Sequence, residues 1–554
     1  MLQRYLPAAA LLLAATLAVP ARAQTSSPPA WTGAASLGTG TIYASVSAVD
    51  AAGNTYQVGS FNNTLTVGST TLTSAGNTDA YLAKYTAGGA LAWIRQLGSA
   101  GVDAGNDLVL DPAGHVYITG QFAGSISLGN GLTLSDASGA SGKMFVVRYS
   151  PQGTPEWAQQ SQINAIGSAA YGNGIGLDAT GTVHVAGYFF RGLTVGTSTV
   201  TTASNSLPGN YLARFAGSSG APLALVRASD YAAPVGAASY AYPVLAVAPT
   251  GEDYLLNYST QPMIFGGTTL SSRGSYDVYV ARYSAQGALE WARQVGGTGD
   301  DRLRRATVDA AGNLYVAGYF NAAAQFGSLT LPSAGDYDGF LLKYAPQGTV
   351  QWVQSCGGPG SDGFGDVVLD AAGNPYVTGN FEGTAQYGPV TLTSAGSRDA
   401  TVAAYTAQGQ LRWVQRAGGP GFDVAYNLGF DGTGTLHVLG RFEGTCLFGS
   451  TSLTTATATG ELFLARLANA TLAARPAAAA QPLAFYPSPA HDRLHLPALP
   501  AGTAVQLLDA LGRVARDTRV TAGQVSVRDL PAGLYVLRAL DAHGRACTGR
   551  VVVE

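Results

Sequence analysis

One short phrase, Asp-x-x-Gly followed by a β-like stretch, recurs along the chain and constrains the fold more than any other feature. Its glycine stands at seven positions, Gly53, Gly114, Gly181, Gly251, Gly312, Gly373 and Gly434. Successive glycines are 61, 67, 70, 61, 61 and 61 residues apart, and only the fourth copy has Ala248 in place of Asp. A fixed period of this size is typical of repeat architectures, in which each unit packs against its neighbours. Because shared residues serve to build each unit, functional chemistry is sought where the repeats differ.

One complete repeat, residues 364–418, contains four short runs in which apolar and polar residues alternate. The runs are 366–370, 376–381, 399–405 and 410–415. Gly, Ser, Thr, Asn and Pro separate them, as is typical of short β-strands joined by tight turns. The pattern predicts a four-stranded antiparallel meander, and such meanders repeated radially form the blades of a β-propeller.

The Asp-x-x-Gly phrase has a mechanical explanation. An Asp carboxylate accepts hydrogen bonds from the backbone two residues later, and glycine adopts the positive φ that a tight hairpin requires. A calcium site would need about six to eight oxygen ligands. The phrase mostly continues with Ala-Ala, Pro-Ala or Ala-Thr, so we expect hairpin tips without metal.

Tryptophan predicts the number of blades. All six tryptophans occupy one position of the repeat, Trp31, Trp93, Trp157, Trp291, Trp352 and Trp413. The third repeat has Leu223 there, and the seventh has Arg475 in an Ala- and Pro-rich stretch, so the last repeat lacks its fourth strand. We expect the segment around Trp31 to supply it, which removes an exposed sheet edge. The predicted fold is all-β, a seven-bladed β-propeller of four-stranded blades closed by the N-terminal strand.

Composition and the chain ends indicate the compartment. Charged residues make up 11% of the chain and the formal net charge is −3, so no basic surface for nucleic acid is indicated. Residues 1–23 have the basic start, the apolar stretch and the Ala21-Arg22-Ala23 cleavage site of a secretory signal peptide. No second run of about 20 apolar residues follows, so we expect no membrane span in the mature chain.

The repeat signal ends in an Ala- and Pro-rich stretch. We expect a propeller over residues 24–471, a linker over 472–482 and a separate domain over 483–554. The last segment has five short strand-like runs, which favours a small Ig-like β-sandwich. Three cysteines in the whole chain imply no disulfide framework.

The C-terminal segment carries three motifs in order. It opens on Tyr486-Pro-Ser-Pro-Ala, continues with Leu508-Asp-Ala-Leu-Gly-Arg-Val, and then has Asp529-Leu-Pro-Ala-Gly-Leu-Tyr-Val. They resemble the C-terminal sorting domain of type IX secretion substrates from Bacteroidetes, although Ser488 stands where Asn is usual and Arg550 where Lys is commoner. The residues that carry the resemblance are Tyr486, Pro487, Pro489, Gly512, Gly533 and Tyr535. It implies export through the periplasm and outer membrane to the cell surface or the medium, with the type IX translocon as partner.

The repeats also resemble a known class. The stretch from Asp309 to Phe320, Asp-Ala-Ala-Gly-Asn-Leu-Tyr-Val-Ala-Gly-Tyr-Phe, is similar to the SBBP type of bacterial β-propeller repeat. The resemblance spans residues 42–467 and implies a propeller fold. It implies no common activity, so function must be argued from a site.

No catalytic or metal-binding constellation is recognisable in the sequence. His184 and His437 occupy a strand position that other repeats fill with tyrosine, and no histidine is spaced with other ligands as in a metal site. The Gly-rich stretch 296–299 lies between blades and does not open a helix, so it predicts no phosphate site. We predict no catalytic residue, no metal and no cofactor.

Four aspartates lie eight residues before the turn Asp of their repeats, near the start of the innermost strand. They are Asp103, Asp301, Asp362 and Asp423. One interpretation is that they cap loops. The other is a carboxylate ring at one mouth of the central channel, which would bind a cation or a sugar. A glycosidase would need two carboxylates at a defined separation, which a sequence cannot give.

Departures from the repeat indicate where a ligand would bind. The longest loop between repeats, which joins the third to the fourth, contains Tyr231, Tyr240 and Tyr242. Long tyrosine-bearing loops on a rigid scaffold are common binding sites, and neutral drift is the alternative. We predict ligand binding at these tyrosines and at the four aspartates on the same face.

The sequence therefore favours a secreted or cell-surface protein that acts as a monomeric, non-catalytic binding or adhesion module. Its expected ligand is an extracellular glycan or protein. Two alternatives stay open, namely a polysaccharide-active hydrolase or lyase on the same scaffold, and a structural protein of a surface coat.

Overall fold

The structure, a computed structural model, divides into two compact units, Met1–Ala470 and Thr471–Glu554. The residues that it describes are 27–136, 142–163, 167–232, 242–455, 460–468, 481–483, 485–497, 499–509, 514–540 and 546–554. Every regular element among them is a β-strand, so both units are all-β. Accordingly, no described helix is long and apolar enough to cross a bilayer. The predicted signal peptide and most of the predicted linker lie outside the described residues.

The first unit contains strands β1 to β40 in its described part. The first seventeen are β1 (Trp31–Val49), β2 (Thr55–Val67), β3 (Thr70–Thr73), β4 (Asp79–Tyr85), β5 (Leu91–Leu97), β6 (Ala104–Leu110), β7 (Val116–Phe122), β8 (Ser125–Gly129), β9 (Leu132–Ser135), β10 (Lys143–Tyr149), β11 (Pro155–Gln160), β12 (Ala169–Leu177), β13 (Thr182–Phe190), β14 (Gly192–Val195), β15 (Ser198–Thr201), β16 (Pro208–Ala216) and β17 (Pro222–Tyr231). The others are β18 (Val244–Val247), β19 (Asp253–Ser259), β20 (Met263–Phe265), β21 (Thr268–Leu270), β22 (Asp277–Tyr283), β23 (Leu289–Gly297), β24 (Asp301–Val308), β25 (Leu314–Phe320), β26 (Ala324–Phe326), β27 (Leu329–Leu331), β28 (Asp338–Tyr344), β29 (Val350–Gly357), β30 (Gly363–Leu369), β31 (Pro375–Phe381), β32 (Thr384–Tyr387), β33 (Val390–Thr393), β34 (Asp399–Tyr405), β35 (Leu411–Ala417), β36 (Val424–Phe430), β37 (Leu436–Phe442), β38 (Thr445–Phe448), β39 (Thr451–Thr454) and β40 (Glu461–Leu467).

The strands of each repeat form the same antiparallel meander. In the sixth repeat the order is β30–β31–β34–β35, with Phe381 opposite Asp399 and Tyr405 opposite Leu411. The order recurs as β6–β7–β10–β11, β12–β13–β16–β17, β18–β19–β22–β23 and β24–β25–β28–β29. The first strands of successive meanders contact one another from β6 through β12, β18, β24 and β30 to β36, and β1 contacts both β36 and β6.

The N-terminal strand joins the last repeat to the first. Its beginning pairs antiparallel with β40, with Trp31 opposite Leu467 and Gly38 opposite Leu462. Its end pairs with β2, with Val49 opposite Thr55. The expected pairing of the Trp31 segment with the seventh repeat is therefore present. One continuous strand serves as the outer strand of that repeat and as the first strand of repeat one.

Each repeat also has a small hairpin that sequence analysis missed. These hairpins are β8–β9, β14–β15, β20–β21, β26–β27, β32–β33 and β38–β39, and β3 pairs with the end of β2 in the first repeat. Three of them continue the outer strand of the preceding meander, as where Gly297 of β23 lies opposite Ala324 of β26. The hairpin strands are three to five residues long, too short to give a periodic signal.

The repeated turn has the predicted hydrogen bonds. Asp370 Oδ1 accepts bonds from the N–H groups of Ala372 and Asn374, both at 2.9 Å. Its Oδ2 accepts a bond from the Asn374 side chain at 3.0 Å. Gly373 has a φ of +75°, which favours glycine. The carboxylate thus stabilises the hairpin tip.

The repeated tryptophan links neighbouring meanders. Trp93 Nε1 donates a hydrogen bond to the Pro151 carbonyl of the next repeat at 3.2 Å, and Trp291 donates to Pro346 at 2.8 Å. A Cβ on Gly153 would lie 2.9 Å from the Trp93 ring, so only glycine allows this close approach. Core packing between repeats explains the tryptophan pattern.

The second unit contains two small sheets of its own. Its described strands are β41 (Gln481–Pro482), β42 (Arg493–His495), β43 (Ala504–Leu508), β44 (Val514–Arg519), β45 (Gln524–Ser526), β46 (Gly533–Leu540) and β47 (Ala546–Val553). One sheet has the order β41–β47–β46–β43–β44 and the other pairs β42 with β45. Leu494, Val505, Leu537 and Val551 are buried in its core.

Candidate functional site

A cavity of 1160 Å³ lies in the first unit where the first and second strands of the repeats converge. Four lining residues are the extra residues of β-bulges in first strands, where two residues oppose one on the neighbouring strand. They are Asn106, Asn173, Arg304 and Tyr426. A bulge redirects a side chain and is common beside functional sites. The cavity is larger than the pockets that hold most small ligands, which measure about 300–1,000 Å³.

Arginine and tyrosine dominate the charged and aromatic lining. The arginines are Arg302, Arg304, Arg305, Arg398 and Arg441, and the tyrosines are Tyr242, Tyr258, Tyr319, Tyr337 and Tyr426. The Arg302 guanidinium lies 4.1 Å from the centre of the Tyr276 ring and 5.7 Å from that of Tyr258. The wall thus combines guanidinium donors with aromatic faces.

Several of these arginines have carboxylate partners. Arg302 binds Asp300 through two hydrogen bonds of 2.8 Å, which raise its pKa further above the ordinary value. Arg441 lies 2.6 Å from a Glu443 oxygen. Their charges are therefore balanced within the protein.

Arg305, another residue of the lining, links distant repeats. Its Nη1 lies 3.2 Å from Oδ1 of Asp107, in a repeat three positions away. Asp107 Oδ2 also accepts a bond from the N–H of Ile175 at 3.0 Å. Burial raises the pKa of Asp107 although Arg305 acts in the opposite direction. This pair therefore ties three first strands together, β24, β6 and β12.

Arg304 differs from its neighbours. It is exposed, its guanidinium lies 5.1 Å from the centre of the Tyr319 ring, and no ion pair to it occurs among the described residues. Its positive charge lowers the pKa of the Tyr258 and Tyr426 hydroxyls, but burial raises the pKa of both hydroxyls by more. Arg304 is therefore an exposed cation beside several tyrosines of the lining.

Of the three predicted loop tyrosines, Tyr242 lines the cavity and is 61% exposed. Its ring centre lies 6.1 Å from that of Tyr188, which stacks on Tyr171 at 4.5 Å. These three rings form an aromatic cluster at the edge of the cavity. Tyr240 lies outside the described residues.

Tyr231 does not lie on an exposed loop, so that expectation is wrong. It is 1% exposed and forms the end of β17, opposite Met263 of the inserted hairpin. Its hydroxyl accepts a hydrogen bond from the Asn257 side chain at 3.3 Å. The hairpin, which sequence analysis missed, extends the strand and buries the ring. Tyr231 belongs to the core and is not part of the cavity lining.

The four predicted aspartates are buried and hold the loops that enter the first strands. Oδ2 of Asp362 accepts a bond from the N–H of Gly358 at 2.7 Å, and its Oδ1 accepts one from Glu382 at 3.0 Å. Asp103 and Asp423 accept the same two kinds of backbone bond, whereas Asp301 accepts only the first, from the N–H of Gly297 at 2.7 Å. Burial raises the pKa of Asp301 to about 7 and those of Asp362 and Asp423 to about 6. These contacts are the ones that the loop-capping interpretation predicts, and only Asp362 is among the residues that line the cavity.

Sequence analysis missed the arginines, although one signal was available. The stretch Asp301-Arg-Leu-Arg-Arg305 places three arginines within five residues of a chain with few charges. It coincides with a first strand, and Arg305 stands where other repeats have Val46, Asp107 or Asp366. Three arginines in one predicted first strand would have indicated that this strand faces a solvent-accessible cavity.

The sorting motif has a defined arrangement in the second unit. The Tyr486 ring is exposed and stacks on His495 at 4.9 Å with an interplanar angle of 6°. Pro487 and Pro489 are exposed beside it, and the Tyr535 hydroxyl donates to the Pro531 carbonyl at 2.8 Å. Gly533 begins β46, and Gly512 lies outside the described residues.

Residues 484–554 match the family model described as secretion system C-terminal sorting domain. The tail of this chain is a type IX secretion sorting domain. The protein is therefore exported by type IX secretion to the cell surface or beyond it, as the motifs predicted.

Other comparisons are weaker. An uncharacterised WD repeat-containing protein of Acanthamoeba polyphaga mimivirus is 28% identical over 195 residues, which cover 30% of this chain and 14% of that protein. A polysaccharide lyase of the ulvan lyase family, bound to a glucuronate–sulfated rhamnose ligand, is 10% identical with a TM-score of 0.38, over 74% of this chain and 91% of the lyase. PorZ, a surface component of the type IX secretion system of Porphyromonas gingivalis, is 11% identical with a TM-score of 0.14, over 94% of this chain and all of PorZ. These likenesses carry no argument about activity.

Proposed function

We propose that the first unit is a seven-bladed β-propeller that binds an extracellular glycan in its central cavity. Seven meanders of one strand order, with first strands that contact one another in sequence and return to β1, support the propeller. The division of β1 between the last and first repeats corresponds to closure by the N-terminal strand. The sorting domain delivers this propeller to the cell surface, where the translocon is its partner.

The observation that carries glycan binding is the aromatic cluster at the edge of the large cavity, in which Tyr242 is exposed and Tyr188 and Tyr171 are half-buried. Tyr242 presents a rigid ring with a polar tip beside Tyr188, a combination suited to stacking on a sugar ring. Asn106, Asn173 and other amide side chains of the lining can bond sugar hydroxyls. The cavity thus offers both kinds of contact.

The hydrogen bonds of the carboxylates that line the cavity favour binding over catalysis. Asp362 and Glu461 are the two among the described lining residues. Asp362 accepts two backbone bonds, and Glu461 accepts bonds from Ser36 at 2.5 Å and Thr455 at 2.6 Å. A glycosidase needs one carboxyl group as acid and a second as base or nucleophile. Both carboxylates are already occupied in holding the fold.

A glycan array with the purified mature chain tests the proposal. We expect retention on one class of glycan, and loss of that retention in Tyr242→Ala. Tyr486→Ala is the matched control, because it removes an exposed tyrosine from the other unit. An array without any retained glycan, or equal retention by Tyr242→Ala, would contradict the proposal.

A polysaccharide lyase is the second candidate, favoured by the position of Arg304 over Tyr319. Eliminative cleavage of a uronate needs a cation that neutralises the carboxylate and a group that moves a proton. A raised pKa keeps Tyr258 and Tyr426 protonated, so they could supply a proton but are poor bases. Appearance of unsaturated uronate absorbance on incubation with polyuronates would establish the lyase.

A further inference from the structure

We infer that the cavity selects glycans carrying isolated anionic groups, carboxylate or sulfate, and that Arg304 binds one such group. This inference rests on the proposed glycan binding and adds the charge class of the ligand. It goes beyond the predicted site, which consisted of aspartates and loop tyrosines. Three observations carry it: the Arg304 guanidinium has no carboxylate partner among the described residues, tyrosine rings lie near it, and carboxylates occur elsewhere on the same cavity wall.

Arg304 is available to a ligand in a way that its neighbours are not. Arg302 binds Asp300 with two hydrogen bonds, Arg441 binds Glu443, and Arg305 bridges to Asp107. Arg304 is exposed at a bulge of β24 and has no carboxylate partner among the described residues. A guanidinium presents a planar fork of N–H donors that matches a carboxylate or a sulfate.

The surroundings of Arg304 favour a sugar that carries the anion. The guanidinium lies 5.1 Å from the centre of the Tyr319 ring, and its charge also acts on the hydroxyls of Tyr258 and Tyr426. Aromatic faces in this arrangement contact the apolar face of a sugar ring while the guanidinium binds its acidic substituent. An extended acidic peptide would instead need backbone partners along a strand edge.

A second arginine of the lining, Arg398, can also bind the anionic group of the glycan. Arg398 Nη2 is 3.6 Å from a Glu382 oxygen, longer than a hydrogen bond, and the Glu382 side chain is 51% exposed. Exposed pairs of this kind contribute little, so Arg398 can leave Glu382 for a ligand. Two arginines on neighbouring repeats then frame the cavity.

The flanking carboxylates limit the charge density that the cavity accepts. Asp300, Glu443 and Glu461 lie on or beside the wall that holds the arginines. Because Asp300 and Glu443 already neutralise Arg302 and Arg441, a densely sulfated chain gains little attraction from those arginines and places anions against Glu461, which repels them. The site therefore fits one anionic group per bound segment.

Matched charged and neutral glycans test the inference on the full mature chain. The probes are oligogalacturonate and oligomannuronate with their fully methyl-esterified forms, a sparsely sulfated galactan with its desulfated form, heparin oligosaccharides and polyglutamate. We expect at least one acidic form to bind tenfold or more tighter than its neutral partner. Arg304→Gln should abolish that preference, and Arg304→Lys should restore part of it. Arg293→Gln removes an exposed arginine outside the cavity and should change nothing.

The outcomes separate the inference from the proposed function. Equal binding of acidic and neutral forms, or an unchanged preference in Arg304→Gln, overturns the inference while glycan binding stands. Tightest binding to heparin or to polyglutamate also overturns it. If neither the array nor these probes detect any glycan, both fail. Unfolding temperatures of all variants, which should match the parent because these side chains are exposed, exclude misfolding as the cause.

Discussion

Trp31 should be required for the stability of the first unit because it seals the last repeat. The side chain is 9% exposed, and its ring meets Phe448 edge-on at 5.3 Å. Burying a tryptophan removes roughly 200 Å² from water. At about 25 cal/mol per Å² this contributes about 5 kcal/mol. Partial relaxation around the gap lowers the figure, so Trp31→Ala should cost about 3–5 kcal/mol, as large core truncations do.

This loss is measurable by thermal unfolding of the mature chain. An unfolding entropy of about 2 cal/mol/K per residue, summed over a unit of roughly 440 residues, is about 0.9 kcal/mol/K. The expected decrease in Tm is therefore about 3–5 °C if the unit unfolds cooperatively. Leu223→Ala is the matched control, because Leu223 occupies the tryptophan position of the third repeat and is 59% exposed. A Trp31→Ala shift as small as that of Leu223→Ala would refute the reasoning.

Three further predictions concern other parts of the chain. Burial raises the pKa of Asp301 to about 7, so its contribution to stability is largest below about pH 4 and is lost as the pH rises towards 7. Asp301→Asn should reduce this loss, measured by urea unfolding at pH 4.5 and 7.5, and an unchanged pH dependence would count against it. Tyr231→Ala should lower the Tm by several degrees while Tyr242→Ala leaves it within about 1 °C, since only the first ring is buried; equal Tm values would contradict this assignment. A chain that ends at Pro482 should fold and accumulate in the periplasm by cell fractionation, and normal surface amounts would show that the tail is dispensable.

Much of the architecture could be predicted because the residues that form the turns and the packing between repeats recur at fixed positions in the sequence. The turn aspartates bond the backbone within four residues, and the tryptophans mark six of the seven outer strands. The inserted hairpins could not be predicted, because strands of three to five residues have no measurable period. Tyr231 was misplaced for that reason.

The candidate site was less predictable because it joins distant parts of the chain. Arg305 and Asp107 form an ion pair although 198 positions of the sequence separate them. No local pattern indicates that contact. The bulge that exposes Arg304 is likewise invisible in the sequence, since an extra residue in one strand looks like any other strand residue.

The second strands of the repeats separate a position that packs in the core from a position that faces the cavity. Eight residues after the turn glycine, six of the seven repeats have a buried phenylalanine, and the fourth has Ser259. Seven residues after the turn glycine, the seven repeats have Ser60, Gln121, Tyr188, Tyr258, Tyr319, Asn380 and Arg441. Neighbouring residues of a strand face opposite ways, so one position fills the core and the other faces the cavity. All of the second set except Tyr188 line the cavity. Packing therefore constrains the first position, whereas the second differs between repeats without disturbing the core. Because the tyrosines of this set lie on three consecutive repeats next to Arg304, ligand contact is expected to concentrate on that side of the cavity.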